Sequence, residues 1–273
     1  MPHIPGVEGV GIVADPNGST FKVGQAVAFL GTIGVGAYSE YVAARKSTVV
    51  ALPPGVDLQK AAVIPVSYLT AYTLLHRKAR ISEGDTAMIY AASGGVGTAL
   101  LQLCKLYGVK TIALERKHSK LRLAKSQGSD LAICTGDNNW HSLVKEFTKN
   151  KGVNHTFNPV SGVTLKDDLE LISTNGNIVI YGMLGSKDEI DLLAESTLRF
   201  NKSPSIHFSE LYSYFEDPAF LRSSLSSLYS LLSRGKIDPI YKLFPLNEAS
   251  KAHQLLQSGQ IHGKALLSLE LQQ

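Results

Sequence analysis

Cysteine is scarce: two residues in 273, Cys104 and Cys134, each inside an apolar run (Leu-Leu-Gln-Leu-Cys-Lys-Leu and Leu-Ala-Ile-Cys-Thr). That excludes a disulfide framework and a multi-cysteine zinc lobe, and both thiols are expected to be buried small side chains. Long hydrophobic runs are missing too. Stretches such as 87–92 and 178–185 fall far short of the roughly 18 residues of a membrane-spanning helix, so no membrane partner is expected. The start, Met1-Pro2-His3-Ile4-Pro5-Gly6, has neither a basic nor an apolar leader region, which predicts a cytoplasmic address. Charge of one sign is also lacking. With 27 Lys+Arg against 23 Asp+Glu the formal net charge is +4, too small an excess to imply nucleic-acid binding, while 44% apolar residues exclude disorder.

What the chain does have is a change of pattern. Up to about residue 54, short apolar runs (10–14, 25–30, 38–43 and 48–52) are separated by turn residues such as Pro16-Asn17-Gly18, which reads as a small β unit. From Thr86 onward, apolar runs alternate with stretches of helical period, the mark of βαβ units and a parallel sheet. Strands are predicted over 86–91, 110–115, 131–134, 153–158, 177–182 and 205–208. Helices are predicted over 95–107, 120–127, 140–149, 164–173 and 220–234. The tail, 240–269, reads as a strand at 243–246, a helix at 248–257 and a last strand at 265–269.

The chemistry-bearing motif follows the first of these parallel strands. Ala92-Ser93-Gly94-Gly95-Val96-Gly97 has the spacing of the G-x-G-x-x-G phosphate-binding turn, with Ala92 at the first glycine. A small residue at 92 permits the tight turn, Gly94 lets a pyrophosphate approach the backbone, and Gly97 lets helix and strand pack closely. The helix that follows offers free N–H groups and a positive dipole end. Glu115 ends the next strand, 18 residues past Gly97, where an acid can accept the hydroxyls of an adenosine ribose. Beside it Arg116, Lys117 and Lys120 can neutralise a ribose 2′-phosphate, so the residues leave NADPH and NADH both open.

Pro5-Gly6-Val7-Glu8-Gly9-Val10-Gly11-Ile12-Val13, Gly24-Gln25-Ala26-Val27, Gly36-Ala37-Tyr38-Ser39-Glu40-Tyr41-Val42, Ala61-Ala62 with Leu69-Thr70-Ala71-Tyr72, the glycine turn and Gly263-Lys264 occur in an order that resembles the medium-chain dehydrogenase/reductase superfamily. Within it the chain is most similar to the zinc-free quinone oxidoreductases related to zeta-crystallin. The resemblance implies an α/β fold: a Rossmann-like doubly wound parallel sheet over 65–235, with a GroES-like β domain over 1–64 and 236–273. Because the first motif begins at residue 5, that β domain is expected to be incomplete and catalysis weakened. Zinc-dependent members carry a histidine where this chain has Val7, and the eight histidines show no H-x-x-x-H pair, so no metal is expected.

By the same resemblance, Ser67, Thr70 and Thr73 stand at the start of a helix beside the nicotinamide and its phosphate, and Gly95 and Val96 in the pyrophosphate turn. Arg116, Lys117 and Lys120 fall at the 2′-phosphate. Tyr181, Gly182 and Met183 follow the strand covering the nicotinamide, His207, Phe208 and Ser209 match the loop that contacts its carboxamide, and Lys264 faces the cleft. Thr70 and Tyr38 are the candidate proton donors. For Tyr181 and Phe208, core packing is the competing expectation. The implied activity is NADPH-dependent (alternatively NADH-dependent) hydride transfer to a small-molecule quinone or α,β-unsaturated carbonyl. The alternatives are a nucleotide-binding protein with weak turnover and an enoyl-thioester reductase. The strand over 205–208 is expected to be a sheet edge joined in a homodimer.

Overall fold

The computed structural model describes residues 3–185 and 190–269; the first two residues and the end of the outer 236–273 segment lie outside them. The strands are β1 (Glu8–Ile12), β2 (Ala26–Leu30), β3 (Val49–Ala51), β4 (Thr86–Tyr90), β5 (Lys110–Glu115), β6 (Leu131–Cys134), β7 (Val153–Asn158), β8 (Ile172–Ile180), β9 (Ser205–Phe208), β10 (Tyr241–Pro245) and β11 (Lys264–Ser268). The chain divides into two compact units. The first comprises residues 1–70, 94–96 and 211–273, the second residues 71–93 and 97–210. The segment 211–235, expected with the nucleotide-binding part, falls in the first unit.

In the second unit all six strands are parallel, in the order β6-β5-β4-β7-β8-β9. Counted from β4 as the first strand this is 3-2-1-4-5-6, the doubly wound dinucleotide-binding order, whose reversal point lies between β4 and β7. The near-continuous apolar runs are explained by burial on both faces of the sheet. Met88, Ile112, Leu114, Ile133 and Ile178 pack with Trp140 and Val144 of the helix Trp140–Phe147 and with Leu165 and Leu169 of Thr164–Leu171. Each such side chain contributes about 1.5–3 kcal/mol when fully buried. Both thiols are buried, Cys104 in the helix Gly95–Leu106 and Cys134 at the end of β6.

The first unit carries an antiparallel sheet, β1-β2-β3, and a parallel pair, β10-β11. Val27, Phe29 and Val49 form its small core with Val13, Phe21 and Val42 packed against them. The helix Pro218–Ser233 buries Leu221, Leu225, Leu228 and Leu232, the stripe its sequence spacing predicts, and its start is capped by Asp217 accepting from Phe220 N–H.

Several expectations are corrected. The run 38–43 is no strand: Ala37 and Tyr38 donate their backbone N–H groups to the Gly6 and Pro5 carbonyls, tying the segment to the first residues, and the Ser39 hydroxyl donates to the carbonyls of Gly36 and Tyr41, forming a local turn in place of a ladder. The fifth parallel strand starts at Ile172, not 177, and ends at Ile180. Its Asn175-Gly176 reads as a turn in sequence but forms an irregularity inside the strand, with Asn175 at φ +59°. The preceding helix consequently stops at Leu171. A short helix, Leu192–Thr197, capped by Asp191, escaped sequence reading.

Candidate cofactor and substrate site

In the second unit the carboxyl ends of β4, β5, β8 and β9 leave the same edge of the sheet, the edge at which open α/β sheets bind ligands. β4 ends at Tyr90. Ala91 then takes a left-handed conformation (φ +50°), and Ala92 and Ser93 turn, fully buried, toward the helix that starts at Gly95. A Cβ on Gly97 would lie 2.7 Å from the Cα of Ala92, so close packing of helix on turn requires glycine there.

Glu115 does not reach out to solvent from the end of β5. It is buried, 4% exposed, and its Oε1 accepts a hydrogen bond from the backbone N–H of Ser93. The acid therefore braces the turn, while Arg116 and Lys117 next to it are exposed and Lys120 is half-buried. At the end of β8, Tyr181 N–H donates to the Asn158 carbonyl at 3.1 Å, and burial raises the Tyr181 phenol's pKa. A Cβ on Gly182 would press on the carbonyl oxygen of Pro159 at 2.8 Å. Met183 is 88% exposed. Ser209 N–H donates to the Ile180 carbonyl, holding the end of β9 in place. Phe208 is 67% exposed, so core packing does not account for it.

His207 is turned back to the sheet. Its Nε2 lies 3.2 Å from Asn177 Oδ1, and its pKa is lowered by burial and then by the nearby charges of Lys78 and Arg80. The same Asn177 meets His155 Nδ1 at 3.3 Å, and His155 Nε2 meets Asp85 at 2.8 Å.

In the first unit Gly94 forms a parallel bridge with Gly263, and a Cβ on Gly95 would stand 2.8 Å from the Ser67 hydroxyl and 3.6 Å from the Gly263 carbonyl oxygen. Lys264, the next residue, is paired through Nζ with Glu8 Oε1, and the other Glu8 oxygen accepts from Val66 N–H at 2.7 Å. One carboxylate thus ties β1, β11 and the segment holding Ser67 together. Sequence reading had Glu8 only as a letter of a motif; an acid among Gly and Val residues was the available signal. The Tyr38 hydroxyl lies 3.2 Å from His253 Nε2. Its pKa is raised, by burial above all, with Lys264 lowering it and Glu8 raising it, so the phenol keeps its proton at neutral pH.

Ser67, Thr70 and Thr73 do not begin a helix. Asp57 caps one that starts at Leu58, accepting from Gln59 and Lys60 N–H, and helical turns continue to Ala79. Residues Ile64–Tyr68 and Leu74–Ala79 are wound as π-helix, a widened form that recurs at functional sites. Ser67 and Thr73 are buried and Thr70 is half-buried.

A buried polar network behind the β4 and β7 ends was also missed. Asp168, with no exposed surface, accepts from Asn158 Nδ2 at 2.6 Å, while Asn158 Oδ1 accepts the backbone N–H groups of Val160 and Ser161. Pro159 and Val160 carbonyls in turn accept from Leu184 and Gly185 N–H. Burial raises the Asp168 carboxyl to about 7; the hydrogen bond from Asn158 and the hydroxyls of Thr156 and Tyr90 beside it offset part of that rise, and the Asp167 charge adds to it. The signal lay in the sequence: with Leu165 and Leu169, Asp168 occupies the apolar face of its helix at i, i+3 and i+4 spacing.

Comparison with known proteins agrees with this geometry. Residues 95–217 match the family model described as zinc-binding dehydrogenase, and residues 1–54 the alcohol dehydrogenase GroES-like domain. A probable quinone oxidoreductase of Schizosaccharomyces pombe is 31% identical over 98% of this chain and 80% of its own length. Among solved structures, the Escherichia coli quinone oxidoreductase complexed with NADPH superposes with a TM-score of 0.87 at 26% identity, covering 96% of this chain and 81% of that one. A 2-haloacrylate reductase superposes with a TM-score of 0.83 at 25% identity over 96% and 82%. The chain belongs to the zinc-free quinone oxidoreductase family of medium-chain dehydrogenases/reductases.

Proposed function

We propose that the protein is an NADPH-dependent reductase that delivers a hydride to quinones or α,β-unsaturated carbonyls without a catalytic zinc. The observation that carries this reading is the turn Ala92–Gly97: a glycine cradle closed by Gly97 against Ala92 and opening onto a helix N-terminus, with exposed Arg116 and Lys117 nearby in sequence and Glu115 withdrawn. These residues fit a dinucleotide. Bound NADPH supplies the hydride, so the protein's task is to bind, align and exclude water.

In this reading the glycine turn holds the pyrophosphate, and Arg116, Lys117 and Lys120 take the 2′-phosphate. Tyr181, Gly182, Met183, Phe208 and Ser209 border the nicotinamide, with His207 acting through the sheet. Ser67, Thr70, Thr73 and Lys264 complete the cofactor contacts, while Tyr38 or Thr70 gives a proton to the reduced acceptor. Segment 65–235 serves chiefly the nucleotide, and 1–64 with 236–273 the acceptor. A panel of acceptors tests this: NADPH should be consumed with 1,4-benzoquinone and 9,10-phenanthrenequinone. Consumption with a crotonyl thioester alone would assign the protein to thioester reduction, and consumption with none would leave a nucleotide-binding role.

Cofactor choice gives a sharper expectation. With Glu115 engaged by Ser93, opposition to a 2′-phosphate is reduced, and Arg116→Ala should lower the NADPH-to-NADH affinity ratio about tenfold, the loss of one charge-assisted contact of ~1.4 kcal/mol. Dissociation constants for both cofactors check it; an unchanged ratio would make the basic cluster a solvated surface.

For assembly we propose a homodimer through β9. It is the sheet's edge, and Phe208, Phe200 and Leu198 are exposed by 67%, 82% and 74% around it. An open edge beside exposed apolar side chains invites pairing with a second copy. Light scattering at micromolar concentration should give twice the chain mass, and a monomer mass would contradict the assignment.

A further inference from the structure

We propose that His118, Cys134 and Asp137 form a zinc site at the carboxyl edge of β5 and β6. The inference does not rest on the cofactor reading. Three segments deliver three different donors: His118 from the single turn after β5, Cys134 from the last position of β6, and Asp137 from the turn that follows, where its N–H donates to the Cys134 carbonyl. Their ligating atoms all lie within 4.8 Å of one another, and among the described residues this is the one such group of histidine, cysteine or carboxylate side chains. His118 Nε2 and Asp137 Oδ1 are 3.0 Å apart, close to the ~3.3 Å between ligands bound about 2.0 Å from a tetrahedral ion. Closing the sulfur by roughly 1 Å completes three corners.

The sulfur is buried at the end of β6. Position 136 is glycine, so no side chain stands beside it on that side; a Cβ there would lie 3.6 Å from Cys134 Sγ. Cys104, also buried, lies in the helix Gly95–Leu106 and belongs to no such group among the described residues.

The donor set selects the ion. One nitrogen, one sulfur and one oxygen suit a borderline cation such as Zn²⁺, whereas Mg²⁺ and Ca²⁺ want oxygen alone. Two anionic ligands balance the double charge. On binding, the Cys134 S–H bond breaks, an S–Zn bond forms and one proton passes to solvent. His118 ligates through Nε2 with its proton on Nδ1, and water takes the fourth corner. No electron is transferred.

Cobalt(II) is a spectroscopic stand-in. Titrated into chelator-stripped protein, with and without NADPH, Co²⁺ should give a thiolate-to-cobalt charge-transfer band that saturates at one ion per chain, releases one proton and is displaced by Zn²⁺. Cys134→Ser should abolish the band and Cys104→Ser should leave it. His118→Ala, at an exposed position that spares the fold, should weaken binding at least tenfold, as should Asp137→Ala. Absence of the band in the wild type, its persistence in Cys134→Ser, or unchanged affinity in His118→Ala would each overturn the site.

Discussion

Gly94→Val is expected to weaken NADPH binding by about 100-fold, ~2.7 kcal/mol, in a protein that still folds. Gly94 is the residue immediately before the helix at Gly95, and its backbone is bridged to Gly263, so it cannot move aside to make room for a side chain. In the proposed site a branched side chain there occupies the space of the pyrophosphate and keeps the free helix N–H groups at a distance. The effect is steric and electrostatic together, since an anion loses both the hydrogen bonds and the dipole end. Gly97→Val is a contrasting case. Its added Cβ meets the Cα of Ala92 at 2.7 Å, within the protein itself, and the expected result is loss of the fold. Fluorescence titration with NADPH, alongside circular dichroism to establish folding, separates the two. Unchanged affinity in folded Gly94→Val protein would remove the turn from the binding site.

The parts of the molecule legible in sequence are those fixed by local rules. β5, β6, β7 and β9 fall within the predicted bounds because short apolar runs between turn residues have little alternative inside a parallel sheet. The strand-turn-helix unit at 86–106 was legible because its glycines have steric reasons that act over a few residues. What could not be read depended on distant partners. Glu115 ends its strand as expected, but its orientation is set by the Ser93 N–H, 22 positions away in sequence. His207 is placed by resemblance near the carboxamide; its contact with Asn177 on the neighbouring strand, 30 positions away in sequence, could not be read from the sequence. The helix over 58–79 was missed as a unit because Pro65 reads as a boundary, whereas the widened π turns accommodate it. Asp168 was legible in principle, as an acid on an apolar helix face.

That acid makes the second large prediction. Burial holds the folded-state pKa of Asp168 at about 7, against an ordinary value of 3.8. Between those values the folded protein keeps a proton that the unfolded chain has lost, so acid favours the fold. The stabilisation from this proton is complete below pH ~4 and is lost as pH rises through about 7, with a slope of up to ~1.4 kcal/mol per pH unit. Asp168→Asn should abolish this dependence. Its amide oxygen can still accept from Asn158 Nδ2, and its amide N–H groups can serve the hydroxyls of Tyr90 and Thr156, which lack full hydrogen-bond partners. Urea unfolding of both proteins at pH 5 and pH 8 should show the variant gaining on the wild type by roughly 2–3 kcal/mol at the higher pH. Parallel curves would mean that Asp168 does not titrate in this range. Because Asn158 also holds Val160 and Ser161, and their loop holds Leu184 and Gly185, the same protonation is expected to set the rigidity of the loops at the sheet's carboxyl edge.

The central claim is that the chain's own residues align a nicotinamide cofactor and an acceptor without a catalytic metal. It is tested most directly by the steady-state rate of NADPH consumption with 1,4-benzoquinone, using protein stripped by a strong chelator. We expect saturable turnover that survives stripping, depends on both NADPH and quinone, and falls at least tenfold in Gly94→Val at subsaturating NADPH. Absence of turnover in the folded protein, or turnover that disappears with the metal and returns when zinc is added, would contradict it.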